Sequence, residues 1–139
     1  MESQKYVRTV HYYETDKMGI THHSNYVRWM EEARVDFLKK IGWEYSKLEE
    51  MGIFSPVVSI NCKYKLSTTF SEDIDINVNV FDYNGAILKF NYLMTNKEGK
   101  TVFEATSEHC FIDDKGKLIR MKKNHPDFHE LLTSLAIKE

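Results

Sequence analysis

The most regular feature of the chain is a helical stripe. From Ser24 to Ile41 the apolar side chains Tyr26, Trp29, Met30, Ala33, Phe37 and Ile41 recur at spacings of three and four, with Leu38 beside them. Arg28, Glu31, Glu32, Arg34, Asp36 and Lys39 fall mostly off that stripe. The segment therefore predicts one long amphipathic helix with a wide face to bury. Ser24 is placed to cap its start and Gly42 to stop it. A shorter helix is predicted over Glu44–Met51, ending in the same way at Gly52.

Elsewhere the period changes to two. Lys5–Tyr13 is rich in β-branched and aromatic residues and predicts a first strand. Val57–Leu66, after Pro56, predicts a second. Ile74, Ile76, Val78 and Val80 alternate with Asp75, Asn77 and Asn79, the mark of a strand with one buried face. Ile87–Thr95 and Thr101–Ile112 follow. Turn signals at Tyr83–Ala86, Asn96–Lys100 and Asp113–Gly116 punctuate them, with Asn84-Gly85 the strongest hairpin pair. Four strands in succession predict an antiparallel meander. Pro126–Leu135 predicts a C-terminal helix placed to cover a sheet edge. The long helix must bury its stripe, and a curved antiparallel sheet is the partner at hand. The fold class predicted is α+β, five strands wrapped around one helix.

Composition narrows the function classes. The 139 residues suit a single domain over 1–139, and 42% hydrophobic with 13% aromatic residues suits a packed core. A net charge of -2 without any basic block gives no footprint for nucleic acid or an anionic membrane. No apolar run approaches the roughly 20 residues that cross a bilayer. Met1–Lys5 is polar and lacks the pattern of a secretory leader. Cys62 and Cys110 then read as reduced, buried thiols. The expectation is a soluble cytoplasmic protein.

The candidate chemistry lies in Glu14–Tyr26, a polar loop leading into the long helix. There the first backbone N–H groups lack intrahelical acceptors and carry partial positive charge. Hydrolysis at an acyl carbonyl needs such donors for its oxyanion, and a carboxylate to attack or to activate water. Asp16 stands where the loop can double back over the helix start, and Gly19 permits the turn. On spacing alone Asp16 reads as readily as a cap or a turn residue.

The run Asp16-x-x-Gly19-Ile20-x-x-His23-x-Asn25-Tyr26-x-x-Trp29-x-x-Glu32-Ala33-Arg34 resembles the signature of the hot-dog-fold thioesterases of the 4-hydroxybenzoyl-CoA thioesterase family. The resemblance implies a hot-dog fold and hydrolysis of an acyl-CoA or acyl carrier protein thioester. It implies that Asp16 is nucleophile or general base, and that the backbone N–H at His23 polarises the carbonyl. Gly19 then shapes the loop, His22 or His23 meets substrate, Asn25 fixes the loop and Tyr26 packs. Lys63 and Lys65, on a strand near the bound thioester, are candidates for CoA phosphates, although alternating lysines also suit a solvated face. The family uses no metal or organic cofactor and forms homodimers, often paired into homotetramers, with sites at subunit interfaces. Thr15, Lys17-Met18 and the His22-His23 pair depart from commoner residues and leave the acyl preference open.

Two other functions fit the same residues. A hot-dog hydratase or dehydratase would use a His–acid pair such as His23 and Asp16, and a non-catalytic acyl-CoA sensor would bind without turnover. Glu31 or Glu32 is a lesser catalytic candidate on the helix. Metal readings at Asp16 with His22-His23, or at His125 and His129, each lack a further ligand at a recognised spacing.

Overall fold

A computed structural model describes residues 4–137. Met1–Ser3, which open the polar stretch read above for a leader, lie outside the described residues. The elements are β1 (Gln4–Thr9), a 3-10 turn (Tyr12–Glu14), α1 (Ser24–Lys40), α2 (Tyr45–Glu50), β2 (Val57–Tyr64), β3 (Asp73–Tyr83), β4 (Leu88–Thr95), β5 (Thr101–His109), α3 (Met121–Asn124) and α4 (Pro126–Ile137). The five strands form one antiparallel sheet in the order β1-β3-β4-β5-β2.

The helical stripe does what its period implies. Tyr26, Trp29, Met30, Ala33, Phe37 and Leu38 are all buried, in one core with Ile74, Ile76, Val78 and Val80 of β3 and Phe90, Tyr92 and Met94 of β4. Phe37 meets Phe90 edge to face at 5.6 Å. Gly42 ends the helix at φ +90°, where a side chain would be strained. Each fully buried large apolar side chain here contributes roughly 1.5–3 kcal/mol relative to exposure. Cys62 and Cys110 are free thiols, half-buried where full burial was expected. Among the described residues no helix is long and apolar enough to cross a membrane.

Several boundaries and one connection differ from expectation. β1 stops at Thr9, and Tyr12 and Tyr13 project into solvent from the 3-10 turn. The reason is Glu14, whose carboxylate folds back to accept the His11 N–H at 2.8 Å and turns the chain. His23, not Ser24, occupies the N-cap position of α1, without a side-chain capping hydrogen bond. The meander holds for β3, β4 and β5 only, because β2 pairs with β5 on the far edge. The segment joining β2 to β3 is tied instead to the catalytic-candidate loop: Thr68 is fully buried, and its carbonyl accepts the Thr21 N–H at 2.8 Å. Regular pairing of β5 ends at His109; Ile112 makes isolated bridges with Phe54 and Leu118. α4 packs against β3, which runs on to Tyr83 beyond its pairing with β1, and buries Phe128, Leu132 and Leu135.

Among the described residues, that leaves β2 as an uncovered edge. Its side chains are exposed along almost the whole strand, including Val57, Val58, Ile60 and Tyr64. A long apolar edge with unpaired backbone groups is a template for another strand.

Candidate active site

The loop before α1 is a tight reversal. Thr15 pairs with Thr21, the Asp16 N–H donates to Ile20 O at 2.9 Å, and the Gly19 N–H donates to Asp16 O at 2.9 Å. Gly19 sits at φ +78°, which explains a glycine there. Asp16 Oδ1 accepts the Met18 N–H at 2.8 Å, so one carboxylate oxygen shapes the turn. The same residue also borders a cavity of about 270 Å³ with Met18, His23, Tyr26, Tyr64 and Lys65.

Around the helix start almost every main-chain donor is spoken for. The His22 N–H donates to Glu14 O at 2.8 Å, the Ser24 N–H to His22 Nδ1 at 3.3 Å, and the Asn25 N–H to His22 O at 3.0 Å. Among the described residues the His23 N–H has no acceptor. His23 is the N-cap position, where the helix dipole presents its positive end. Asn25 is buried and clamps the loop, its Nδ2 donating to Glu14 O at 3.0 Å and His22 O at 3.2 Å. Tyr26 stacks on Phe103 at 4.9 Å and its hydroxyl pairs with Thr68 Oγ1 at 2.9 Å.

The other candidates divide. His23 is exposed beside the cavity, while His22 is exposed and turned to the Ser24 hydroxyl at 2.9 Å. Lys65 borders the cavity with Asp16. Lys63 does not: it lines a separate depression on the sheet with Asn61, Asn77 and Asn91. The strand ends at Tyr64, so the two-residue period that would have kept both lysines on one face is broken between them.

The sequence reading passed over the groups that hold this loop in place. Glu14 is 3% exposed, and its two oxygens accept from Arg8 Nη1 and Nη2 at 2.8 and 2.9 Å, the His11 N–H, and Trp29 Nε1 at 3.0 Å. Burial alone would raise its pKa, but the His11 N–H, Arg8 and Trp29 hydrogen bonds outweigh that and hold it below the ordinary glutamate value. Arg8 Nε also donates to Glu32 at 2.8 Å, as does the Tyr6 hydroxyl at 3.0 Å. Glu32 is thus a structural partner of Arg8. Tyr64 was missed too, although its hydroxyl reaches His23 O at 3.3 Å. A His11-x-x-Glu14 spacing of capping type was the available signal for Glu14.

Residues 10–132 match the model of the thioesterase-like superfamily. The chain belongs to that superfamily. It is 40% identical over 121 residues to YneP of Bacillus subtilis, which carries the name of an acyl-CoA thioesterase, covering 86% of this chain and 88% of that one. A DHNA-CoA thioesterase from Staphylococcus aureus superposes with TM-score 0.93 at 33% identity, over 99% of this chain and 93% of that one. A protein from Aquifex aeolicus superposes with TM-score 0.83 at 34% identity, over 95% and 98%. The fold is accordingly the hot-dog fold expected from the loop–helix signature, and the enzyme class is thioester hydrolase.

Two further features of this thioesterase-superfamily chain bear on its chemistry. Burial pushes the Cys62 thiol up, which keeps it protonated and unsuited to nucleophilic attack near neutral pH. Among the described residues no group of three or more His, Cys, Asp or Glu is arranged to hold a metal, and His129 Nδ1 pairs with the Tyr83 hydroxyl at 2.8 Å.

The second feature is a buried polar chain behind α1. Arg34 Nη1 donates to the Tyr92 hydroxyl at 3.0 Å, which pairs with Ser107 Oγ at 2.6 Å, which meets His109 Nε2 at 2.8 Å. Burial, and then the charge of Arg34, push His109 down to about 4. A base depressed in the folded state stabilises above its unfolded pKa of about 6.5, and that stability is lost as pH falls toward 4. The loss attributable to this residue is about 3 kcal/mol. Urea unfolding at pH 7 and pH 4.5 should show a steeper fall for the wild type than for His109→Gln. Parallel falls would remove His109 from the account.

Proposed function

We propose that the protein hydrolyses acyl-CoA thioesters, with Asp16 and the backbone N–H of His23 as its working groups. What carries this reading is their shared setting: Asp16 and His23 line one cavity, and among the described residues the helix-start N–H of His23 has no acceptor. The N–H suits the carbonyl oxygen, whose charge grows as the carbon becomes tetrahedral. Asp16 then attacks the carbon, giving an anhydride that water opens, or takes a proton from the attacking water. Either route breaks the C–S bond, adds hydroxyl to the acyl carbon and delivers one proton to the departing sulfur. The names borne by YneP and the Staphylococcus protein favour CoA as the thiol, and Lys65, which lines the same cavity as Asp16, is the cation we assign to its phosphates.

The working unit we propose is a cytoplasmic homodimer, or a pair of such dimers, of a single-domain chain. β2 is the exposed apolar edge of the sheet. Antiparallel pairing of β2 with its own copy would extend the sheet and place the Tyr64 end of one strand beside the Val57 end of the other. Asp16 would then work at a subunit interface. Ile60→Lys puts a charge on that edge, so it should sediment at half the wild-type mass and lose at least about tenfold in activity. A wild type that sediments as a monomer removes the proposed dimer.

A panel of acyl-CoA and acyl carrier protein thioesters with free-thiol detection tests the reaction itself. Thiol release supports hydrolysis. Hydration of an enoyl thioester without thiol release would transfer the site to the hydratase class. Tight binding of acyl-CoA with every thioester intact would make it a sensor.

A further inference from the structure

Tyr64 lines the Asp16 cavity and ends the edge strand β2. Its ring stands edge to face with Phe103 at 5.1 Å, Tyr26 at 5.5 Å and His23 at 6.2 Å. Phe103 is fully buried and is the residue of β5 that pairs with Tyr64 across the sheet. The ring is therefore seated on the sheet and not on the loop. Burial holds the phenol above the ordinary tyrosine pKa, so at neutral pH its O–H is intact and able to donate.

That O–H donates to the His23 carbonyl at 3.3 Å. With it, the peptide groups on both sides of His23 are held. In the group between His22 and His23, the carbonyl accepts the Asn25 N–H at 3.0 Å and Asn25 Nδ2 at 3.2 Å. In the group between His23 and Ser24, the N–H donates to His22 Nδ1 at 3.3 Å, and the carbonyl accepts the Tyr26 N–H as well as Tyr64. Each peptide is planar, so fixing both planes fixes φ and ψ of His23 and the direction of its N–H.

The holds differ in origin. His22, Asn25 and Tyr26 belong to the same loop and helix start, and they move with His23. Tyr64 does not. Among the described residues it supplies the one side-chain hydrogen bond that reaches the His23 main chain from outside Glu14–Tyr26. It ties the helix start to the sheet at the residue whose N–H has no acceptor.

We propose that Tyr64 is a positioning residue for hydrolysis, its hydroxyl tethering the N-cap peptide to the sheet and so aiming the His23 N–H at the thioester carbonyl. This rests on the thioesterase reading. Tyr64 acts through His23 and forms no bond to the reacting atoms. An oxyanion donor works best when it is aimed before the charge develops, because a donor that must reorient gives back part of its benefit. Losing such a donor outright costs about 10²–10³-fold in kcat, and loosening one costs part of that. Binding of the substrate before reaction changes little, so the loss falls on kcat and not on KM.

The test is Tyr64→Phe, which keeps the ring and its aromatic contacts and removes the hydroxyl. Tyr64 is 50% exposed, so the variant is expected to fold. Its kcat should fall about tenfold, with KM within about twofold of wild type. Tyr83→Phe is the matched control. It removes a phenol bonded to His129 at the Val57 end of the sheet, opposite the Tyr64 end, and should leave kcat unchanged. Unchanged kcat in Tyr64→Phe, or a rise in KM that accounts for the whole loss, overturns the proposal.

Orientation is read without turnover by nitrogen-15 relaxation of the His23 amide in the free protein. Its order parameter should be about 0.85 in the wild type and about 0.6 in Tyr64→Phe, with that of Met30, within α1, unchanged. Equal His23 order parameters overturn the proposal even where kcat falls, because Tyr64 then acts by another route. Should the wild type cleave no thioester, the hydrolysis reading falls, and the tether is still judged by the order parameter.

Discussion

Asp16→Asn is expected to lower kcat by at least about 10²-fold while leaving the melting temperature within about a degree of wild type. The substitution is chosen for what it keeps. Asn retains a side-chain oxygen for the Met18 N–H, so the turn that Asp16 Oδ1 organises survives. The Gly19 N–H to Asp16 O bond is made by the main chain and is untouched. What the variant lacks is the negative charge and the basicity, the two properties needed to attack a carbonyl or to take a proton from water. The binding surface around the cavity is unchanged, so KM should move little. Steady-state kinetics with thermal unfolding separates the roles. Wild-type turnover in Asp16→Asn would leave the residue as a turn former and move the chemistry elsewhere.

Glu14→Gln should cost about 3–5 kcal/mol of stability, a fall of roughly 10–20 °C in Tm. All four hydrogen bonds to the Glu14 carboxylate come from donors: two Arg8 nitrogens, the His11 N–H and Trp29 Nε1. A glutamine must turn its own NH2 toward some of them. It also leaves Arg8, a largely buried cation, with Glu32 as its remaining carboxylate. Glu14 is held below the ordinary glutamate pKa, so its stabilisation is present above about pH 4.5 and is lost as pH falls through its lowered folded value. Wild type and variant should therefore differ most at neutral pH and converge in acid, as urea titrations at pH 7 and pH 3.5 will show. A constant difference would assign the effect to packing. Because the Glu14 carbonyl also holds His22 and Asn25, activity should fall with stability.

The elements of this protein are largely written in local patterns. Spacings of three and four along α1, alternation along β3, and the Asn84-Gly85 turn each bury or bend the chain by rules that act within a few residues. Asp16, Gly19, His23 and Asn25 could be proposed together for a related reason: they belong to one contiguous motif that runs from the loop into α1. Tertiary structure decided the rest. Arg8 meets Glu32 across 24 residues, and Thr21 meets Thr68 across 47, so no window of sequence contains either pair. Strand order was also beyond local reach, since β2 could join β3 or cross to β5 with the same side chains. The burial of Arg34 ran against the helical period, because Tyr92 and Ser107 approach it from strands 58 and 73 residues away. Periodicity says which face of an element is apolar. Only the packed fold says which polar group must go in with it, and what it will meet there.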